Sequence, residues 1–507
     1  MDAVSSRHEI DVRGLVGPMD TASPVAVSLE IPADVARSPA AQHTAWALLN
    51  MLVRLDRVIS AISVACPSDV PQRVRLSPLA DDAGGLRDSL RHGAAAVNVV
   101  PVDFGHHRGD VRIVVGPGDT VADGIRVYGE AWCGGFARDR AVVAAPPSTL
   151  PFGPYIAAAM AVGEVFKLVR IDPVKYPPTV AAFYSLWSHQ SDTTFIRGGP
   201  AAIPSIVLDE ALAGVGAVGC ICANLLWATD GVSGRILLVD GDEEGIDITN
   251  LNRYMLFGRA HLGMPKASTA RELLNGAGSV AWDAHDGPLE STSRPHRRIL
   301  CAVDTNASRL AVQSLWPESL LMASTNELRA EVVRCDPRVG GPCARCHNPP
   351  DTLTPDDELR RRFREADPDE QRRLADEAGA DLHDAVAWAE IGECGTTGER
   401  VRDALRGPRG GTESFSAPFV SCAAGTMLAA EVVKEHLDAP VPLSPSVARA
   451  VLQFWQPHRS SGAKPYLRDP RCPTCIPEHE AGLIWRERTA VRPWRSDARR
   501  EDAGQGD

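Results

Sequence analysis

The sequence predicts an α/β protein: a doubly wound, mostly parallel sheet, preceded by a second, degenerate α/β half. Three observations carry this. Short apolar runs alternate with helical stretches along most of the chain, the pattern of a sheet covered by helices on both faces. A glycine-rich turn, Gly214-Val215-Gly216-Ala217-Val218-Gly219, joins a strand to a helix, and a strand ending at Asp240 follows it. The N-terminal part has the same alternation without the glycines.

A chain of 507 residues exceeds one ordinary core, so more than one domain is expected. The boundaries read as residues 1–195 for the first α/β half, 196–480 for the second, and 481–507 for a frayed polar tail. Residues 1–40 read as irregular, broken by Pro18, Pro24, Pro32 and Pro39. Residues 41–64 read as one helix, with Leu48, Leu52, Leu55 and Ile59 at helical spacing. Residues 95–102, 111–115 and 141–145 read as buried strands, and 152–169 as a helix packed on several sides. Proline and glycine clusters at Tyr176-Pro177-Pro178 and Gly198-Gly199-Pro200 bracket a linker.

The second half restarts with a strand at 211–213, a helix at 217–229, a strand at 235–240 and a helix at 266–274 behind Pro265. Strands follow at 299–304 and 320–324. A charged stretch, 355–390, reads as a solvated helical insertion at about 350–400, and 419–437 as a small-residue helix.

Lys and Arg number 53 against 65 Asp and Glu, a net charge of −12, which argues against a nucleic-acid-binding surface. No run approaches the length of apolar residues that a membrane span needs, and the first residues lack an apolar signal core. A cytoplasmic location is expected, with reduced thiols. Four of the 12 cysteines form two Cys-x-x-Cys pairs, which suggests a metal before a disulfide.

The chemistry-bearing residues lie between 214 and 304. Gly214, Gly216 and Gly219 let the chain turn sharply and bring phosphates to main-chain N–H groups at a helix N-terminus. Asp240, with Asp242 beside it, has the spacing of a ribose-binding carboxylate. NAD and ATP both fit to this point. Arg253, in Asn250-Leu251-Asn252-Arg253, and Lys266, in Gly263-Met264-Pro265-Lys266, add two fixed positive charges. A triphosphate being split needs them, because charge develops on the leaving pyrophosphate. Asp304, at a strand end, suits Mg²⁺, which prefers carboxylate and phosphate oxygens.

In this order the residues resemble the superfamily of ThiF, MoeB and ubiquitin-activating adenylating enzymes. The resemblance covers roughly residues 205–480. It implies a Rossmann-like adenylation domain. It implies that Asp240 holds the ribose, that Asn250, Arg253 and Lys266 bind the triphosphate, and that Asp304 holds Mg²⁺ and is critical for adenylation. It implies ATP-dependent activation of a C-terminal carboxylate, usually of a ubiquitin-like protein ending in glycine. Tyr254 departs from the polar residue common after the arginine. The family's Arg-Tyr-x-Arg-Gln-like segment, which supplies an arginine across a dimer interface, is missing; Arg197 or an arginine of the first half are the candidates. The first half resembles a degenerate adenylation half, which implies a pseudo-dimer in one chain; a homodimer is the other arrangement.

Cys343-Ala344-Arg345-Cys346 and Cys472-Pro473-Thr474-Cys475 resemble the family's widely separated knuckles, with four thiolates for a structural Zn²⁺. Cys394, in Gly392-Glu393-Cys394-Gly395, lies where family members that form a thioester or persulfide keep a cysteine. Cys220, Cys222, Cys301 and Cys422 read as core. The leading function is adenylation of a ubiquitin-like protein's C-terminus followed by transfer to Cys394, with a conjugating enzyme or a sulfur-transfer partner downstream. The alternatives are adenylation of a ribosomal peptide in natural-product tailoring, and a non-catalytic scaffold on a relic nucleotide fold.

Overall fold

In a computed structural model of the chain, the described residues are 23–475, apart from 81–83, 172, 175, 293–295, 338–340, 349–359, 361–362, 365, 379, 392–415, 438–442 and 445–446. They form two eight-stranded sheets of the same topology.

The first half contains β1 (Val25–Glu30), α1 (Pro39–Leu52), β2 (Ile59–Ala65), α2 (Leu86–Val97), β3 (Val102–Asp103), β4 (Val111–Val115), β5 (Gly124–Glu130), β6 (Cys133–Ala137), α3 (Phe152–Arg170), β7 (Ala181–Ser185) and β8 (Ser191–Asp192). Its strand order is β3-β2-β1-β4-β5-β6-β7-β8. The pairs from β3 to β5 are parallel and those from β5 to β8 antiparallel.

The second half contains β9 (Ile206–Ala213), α4 (Gly219–Ala228), β10 (Val232–Asp240), α5 (Lys266–Leu274), β11 (Ser279–Asp286), β12 (Arg298–Cys301), α6 (Asn306–Ser314), β13 (Ser319–Asn326), β14 (Arg329–Cys335), α7 (Ala344–His347), α8 (Pro368–Ala378), α9 (Leu382–Ile391), α10 (Pro418–Glu435), β15 (Arg449–Gln453), α11 (Pro457–Ser460) and β16 (Gly462–Lys464). The order β11-β10-β9-β12-β13-β14-β15-β16 repeats the first sheet strand for strand, with the same parallel and antiparallel pairs.

Several sequence expectations change. The helix expected over 41–64 ends at Leu52, and β2 begins at Ile59. Leu48, Leu52, Leu55 and Ile59 are all buried, so core-facing residues of a helix and of the next strand merged into one apparent period. Residues 95–97 close α2 rather than open a strand. Residues 141–145 form no strand, only a bridge between Val142 and Gly118. The expected linker contains β7 and β8, and the irregular N-terminus contains β1. Asp209 and Glu210 lie inside β9; Glu210 is buried with Arg298 at 3.1 Å and His436 at 3.0 Å. The charged insertion carries its own small core, in which Phe363, Ala375, Ala385, Trp388 and Ala389 are buried.

The halves are joined through helices. In each half, one long apolar helix lies between the sixth and seventh strands, α3 in the first and α10 in the second. These two pack on one another, α3 also on α1, and α10 on α4. The rings of Phe166 and Phe419 meet at 5.4 Å, and those of Phe419 and Phe454 at 4.9 Å. A Cβ on Gly163 would stand 2.4 Å from the Phe454 ring, so this crossing requires glycine. α3 is long and apolar enough to cross a membrane, but 89% of that window is buried inside the protein, so its hydrophobicity is spent on this contact.

α3 and α10 also carry matching ion pairs. Glu164 pairs with Lys167 at 2.8 Å, and Glu431 pairs with Lys434 at the same i,i+3 spacing. Each lysine reaches the opposite half: Lys167 Nζ lies 3.5 Å from the carbonyl of Trp455, just past β15, and Lys434 Nζ 2.7 Å from that of Leu186, just past β7.

Candidate nucleotide-binding site

The site lies at the carboxyl ends of β9, β10 and β12, where ligands bind in open α/β sheets. β9 ends at Ala213, and Gly214 turns the chain with φ at +88°. Its N–H donates to the Val239 carbonyl at 2.8 Å. A Cβ on Gly214 would sit 2.8 Å from the Ala302 carbonyl, and one on Gly219 would sit 1.9 Å from the Gly214 oxygen. Packing therefore dictates both glycines. Gly216 differs, since its Cβ would approach only the Tyr254 hydroxyl, at 3.2 Å. α4 starts at Gly219 with no side-chain cap, which leaves its positive end facing the turn.

Asp240 closes β10. Its Oδ2 accepts from the Val215 N–H at 2.7 Å and its Oδ1 from the Asp242 N–H at 3.1 Å. Burial raises its pKa, against the opposing pull of Lys266 and the two amides. The carboxylate thus fixes the turn, and each oxygen has capacity for a further donor.

A single helical turn, Ile248–Asn252, presents Arg253. Asp247 accepts from the Thr249 N–H at 2.8 Å, and Asn250 Oδ1 accepts from the Asp247 N–H at 3.0 Å, a reciprocal cap. Asn250 is therefore placed as part of the scaffold that aims Arg253. The Arg253 guanidinium is buried, donating to the Thr249 carbonyl at 3.0 Å and to Asn252 Oδ1 at 2.7 Å.

Lys266 opens α5, buried and paired with Asp242. Burial alone would lower its pKa, but Tyr254, Asp240 and Asp242 hold it above the ordinary lysine value. The Tyr254 ring meets both cations, with Arg253 Cζ at 5.3 Å and Lys266 Nζ at 5.6 Å from its centroid. Tyr254 thereby joins Gly216, Arg253 and Lys266 into one group. The sequence marks Tyr254 only as a departure from a family pattern; its position next to the arginine was the available signal.

Asp304 lies beyond the end of β12, solvent-exposed, immediately before Thr305, which caps α6. Ala302, two residues before it, donates its N–H to the Ala213 carbonyl at 2.7 Å, so the Asp304 loop and the glycine turn share a wall. An exposed carboxylate at this strand end fits Mg²⁺. Cys394 lies outside the described residues. Arg197 is exposed and reaches the Ala144 carbonyl at 3.4 Å, beside Tyr128 of the first sheet.

Two first-half residues touch this loop, one of them an arginine that the sequence does not single out by number. Arg54 and Asn50, at the end of α1, donate to main-chain carbonyls between Leu251 and Phe257. In the first half itself, the chain between β1 and α1 has no glycine turn, and Cys66 follows the end of β2 where Asp240 ends β10.

Cys343, Cys346, Cys472 and Cys475 come together as one cluster. Their Sγ atoms lie 3.8 Å apart between 343 and 346, 3.6 Å between 343 and 472, and 3.5 Å between 346 and 475. Those separations are far beyond the ~2.05 Å of a disulfide and match the ~3.8 Å edges of a tetrahedron with metal–sulfur bonds of ~2.3 Å. The set can hold one metal ion. Cys220, Cys222, Cys301 and Cys422 are buried in the core as expected, and burial pushes the thiols of Cys220 and Cys301 up to about 11.

The pattern of the ThiF family matches residues 209–474, and that of the BilD N-terminal domain matches 26–175. An uncharacterized protein, y4jF, from Sinorhizobium fredii (strain NBRC 101917 / NGR234) is 32% identical over 193 residues, 36% of this chain and 35% of that protein. The adenylyltransferase and sulfurtransferase MOCS3 of Anopheles gambiae is 30% identical over 153 residues, 28% of this chain and 34% of that protein. The matches thus span about a third of each relative's length. The crystal structure of MccB from E. coli is 17% identical with a TM-score of 0.35, covering 52% of this chain and 64% of that one. The complex of MccB with ATP gives 16% and 0.34, covering 52% and 65%. The family match takes in more than half of the 507 residues, both cysteine pairs up to Thr474, the glycine turn and every charged residue around it. The chain belongs to the ThiF family.

Proposed function

We propose that the second half adenylates the C-terminal carboxylate of a ubiquitin-like protein at the expense of ATP. The observation that carries this reading is the grouping of two buried cations, Arg253 and Lys266, on one tyrosine beside Gly216, with the strand-end carboxylate Asp240 a turn away. A dinucleotide needs few fixed charges, whereas a triphosphate being cleaved needs several.

In this reading the substrate carboxylate oxygen attacks the α-phosphorus of ATP. The bond from that phosphorus to the bridging oxygen breaks, and pyrophosphate leaves with the electron pair. Arg253 and Lys266 take up the charge that grows on the leaving group. Lys266 exchanges Asp242 for phosphate oxygens as ATP enters. Asp240 accepts from the ribose hydroxyls while its amide contacts keep the glycine turn in place. Asp304 would hold Mg²⁺, which screens phosphate charge when bound.

The same reading assigns the four-cysteine cluster a structural Zn²⁺, which ties the end of β14 to the segment after β16. It makes the first half an inactive partner, since its sheet has the topology but not the glycine turn or the charged set. The Cys394 thiolate would then attack the acyl carbon of the adenylate, forming a thioester as the bond to the phosphate oxygen breaks and AMP leaves, which completes the proposed sequence.

ATP–pyrophosphate exchange tests the proposal, with small ubiquitin-like proteins ending in glycine offered against short peptides. The expected result is exchange that requires the glycine-ended protein and falls at least ~100-fold in Asp304→Ala. Cys394→Ala is expected to keep exchange and lose a thiol-labile adduct. Exchange with peptides alone would replace the ubiquitin-like substrate. Exchange unchanged in Asp304→Ala would overturn the role of that carboxylate.

A further inference from the structure

Arg54 is a buried charge with an unusual set of partners. It follows α1 and is fully buried. Among the described residues no carboxylate pairs with it. Instead Nε donates to Asn50 Oδ1 at 2.8 Å, Nη1 to the Leu251 carbonyl at 2.6 Å and Nη2 to the Phe257 carbonyl at 2.9 Å. Asn50 in turn donates Nδ2 to the Met255 carbonyl at 2.9 Å. Three main-chain oxygens of one short loop are thus pinned from the opposite half of the molecule, and that loop carries Arg253 and Tyr254.

For stability alone this is a poor device. An apolar side chain of similar volume would fill the same space without desolvating a charge. What a guanidinium adds is a rigid, planar fork that fixes acceptors at set positions, which a lysine ammonium does not. The acceptors here are carbonyls on both sides of Arg253. The guanidinium of Arg253 bonds within its own loop, to Thr249 and Asn252. Its aim therefore follows the loop's path, and a misplacement of ~1 Å in such a group can cost ~100-fold.

We infer that Arg54, braced by Asn50, is a positioning residue for the proposed adenylation: the first half holds the Arg253 loop in the geometry that meets the triphosphate. This rests on the adenylation reading. It gives the first half a task that needs no glycine turn of its own.

The test uses the full chain, with binding of Mg-ATP and of AMP measured by calorimetry and folding followed by thermal melts. AMP has the ribose and one phosphate and so reports on Asp240 and the turn. Wild type is expected to prefer ATP, and Arg253→Ala to lose that preference. Arg54→Lys is expected to weaken ATP about tenfold and leave AMP nearly unchanged, as for one lost charge-assisted contact. The double variant Arg54→Lys/Arg253→Ala should bind ATP no worse than Arg253→Ala alone, because both act through one group. Asn50→Ala, which keeps the arginine, should shift ATP in the same direction, and it decides the matter where Arg54→Lys does not fold. If both variants leave ATP binding intact, or weaken ATP and AMP alike, the positioning role is overturned while the selective loss in Arg253→Ala upholds the adenylation reading. If Arg253→Ala does not affect ATP, that reading falls and the inference with it.

Discussion

Lys434 donates a hydrogen bond to the main-chain carbonyl of Leu186 at 2.7 Å, from the back helix of one half to the strand end of the other. The same ammonium pairs with Glu431, whose carboxylate accepts from His189 Nε2 at 2.6 Å, and His189 Nδ1 meets the Tyr184 hydroxyl at 2.9 Å. All four side chains are buried. Burial would raise the Glu431 carboxyl, but Lys434 and His189 hold it down at about 2. Replacing Lys434 with Met leaves that carboxylate buried without its main counter-charge, which costs about 3–5 kcal/mol. Lys167→Met, at the matching place on α3, leaves Glu164 with the Thr179 N–H at 2.7 Å and Arg138 at 3.9 Å. Its cost is expected to be smaller, about 1–3 kcal/mol. Urea denaturation of the two variants checks the order. Equal losses would show that the surviving partners of Glu164 do not compensate.

The halves' common plan was only partly legible in the sequence. β10, α5 and β13 could be read because a turn residue or a proline stands at an end and apolar runs fill the interior. In the first half no glycine turn separates α1 from its neighbours. Arg54, Asp56 and Arg57 look like helix-surface residues, yet Arg54 is core and Arg57 takes a positive φ in the turn before β2. β6 reads Cys-Gly-Gly-Phe-Ala and has no strand signature. Its glycines are there because Gly134 and Gly135 lie against the backbones of Gly153 and Ala182, contacts that no local pattern reports. At the site, charged residues near the glycine turn were readable from their spacing. Arg54 and Asn50 were not, because their partners are carbonyls some two hundred positions away.

The cysteine cluster makes a prediction about metal. Purified protein is expected to carry one Zn²⁺ per chain, released in parallel with four thiols when an organomercurial titrates them. Cys472→Ser is expected to lower both zinc content and the melting temperature while sparing ATP affinity, because no described cysteine of the cluster touches the glycine turn. Metal analysis and melting curves check this. A protein that keeps its melting temperature after the zinc is removed would show that the thiols pack without a structural metal.

Glu130 gives the molecule a stability that depends on pH. It lies on β5, where Oε1 accepts from the Ser148 N–H at 2.6 Å and Tyr128 OH stands 3.4 Å from Oε2. Burial pushes its carboxyl up from 4.5 to about 7, against those two bonds. The folded chain therefore holds this proton more tightly than the unfolded chain. Its contribution is complete below about 4.5 and is lost as pH rises through about 7. The loss is about 3 kcal/mol at most. Glu130→Gln keeps an acceptor for Ser148 and has no proton to lose. Melts between these limits should show the wild type falling relative to the variant as pH rises. Parallel curves would mean that Glu130 titrates at its ordinary value.

The glycine turn separates two kinds of glycine, and substitution should expose the difference. A Cβ on Gly219 would stand 1.9 Å from the Gly214 carbonyl oxygen, a main-chain atom that cannot move without unmaking the turn. Gly219→Ala is therefore expected to reduce stability and abolish ATP binding together. A Cβ on Gly216 would meet only the Tyr254 side chain, nearest at its hydroxyl, 3.2 Å away, so a shift of a few tenths of an ångström at the end of that side chain relieves it. Gly216→Ala should leave the melting temperature nearly unchanged. Its effect falls on the ligand instead, because the added methyl stands between the turn and the tyrosine that meets Arg253 and Lys266. A loss of about tenfold or more in ATP affinity is expected, with Tyr254→Phe restoring part of it by removing the opposing oxygen. Calorimetry on the three variants beside their melts decides this. If Gly216→Ala binds ATP as wild type does, the nucleotide does not lie against Gly216, and the two cations face some other ligand.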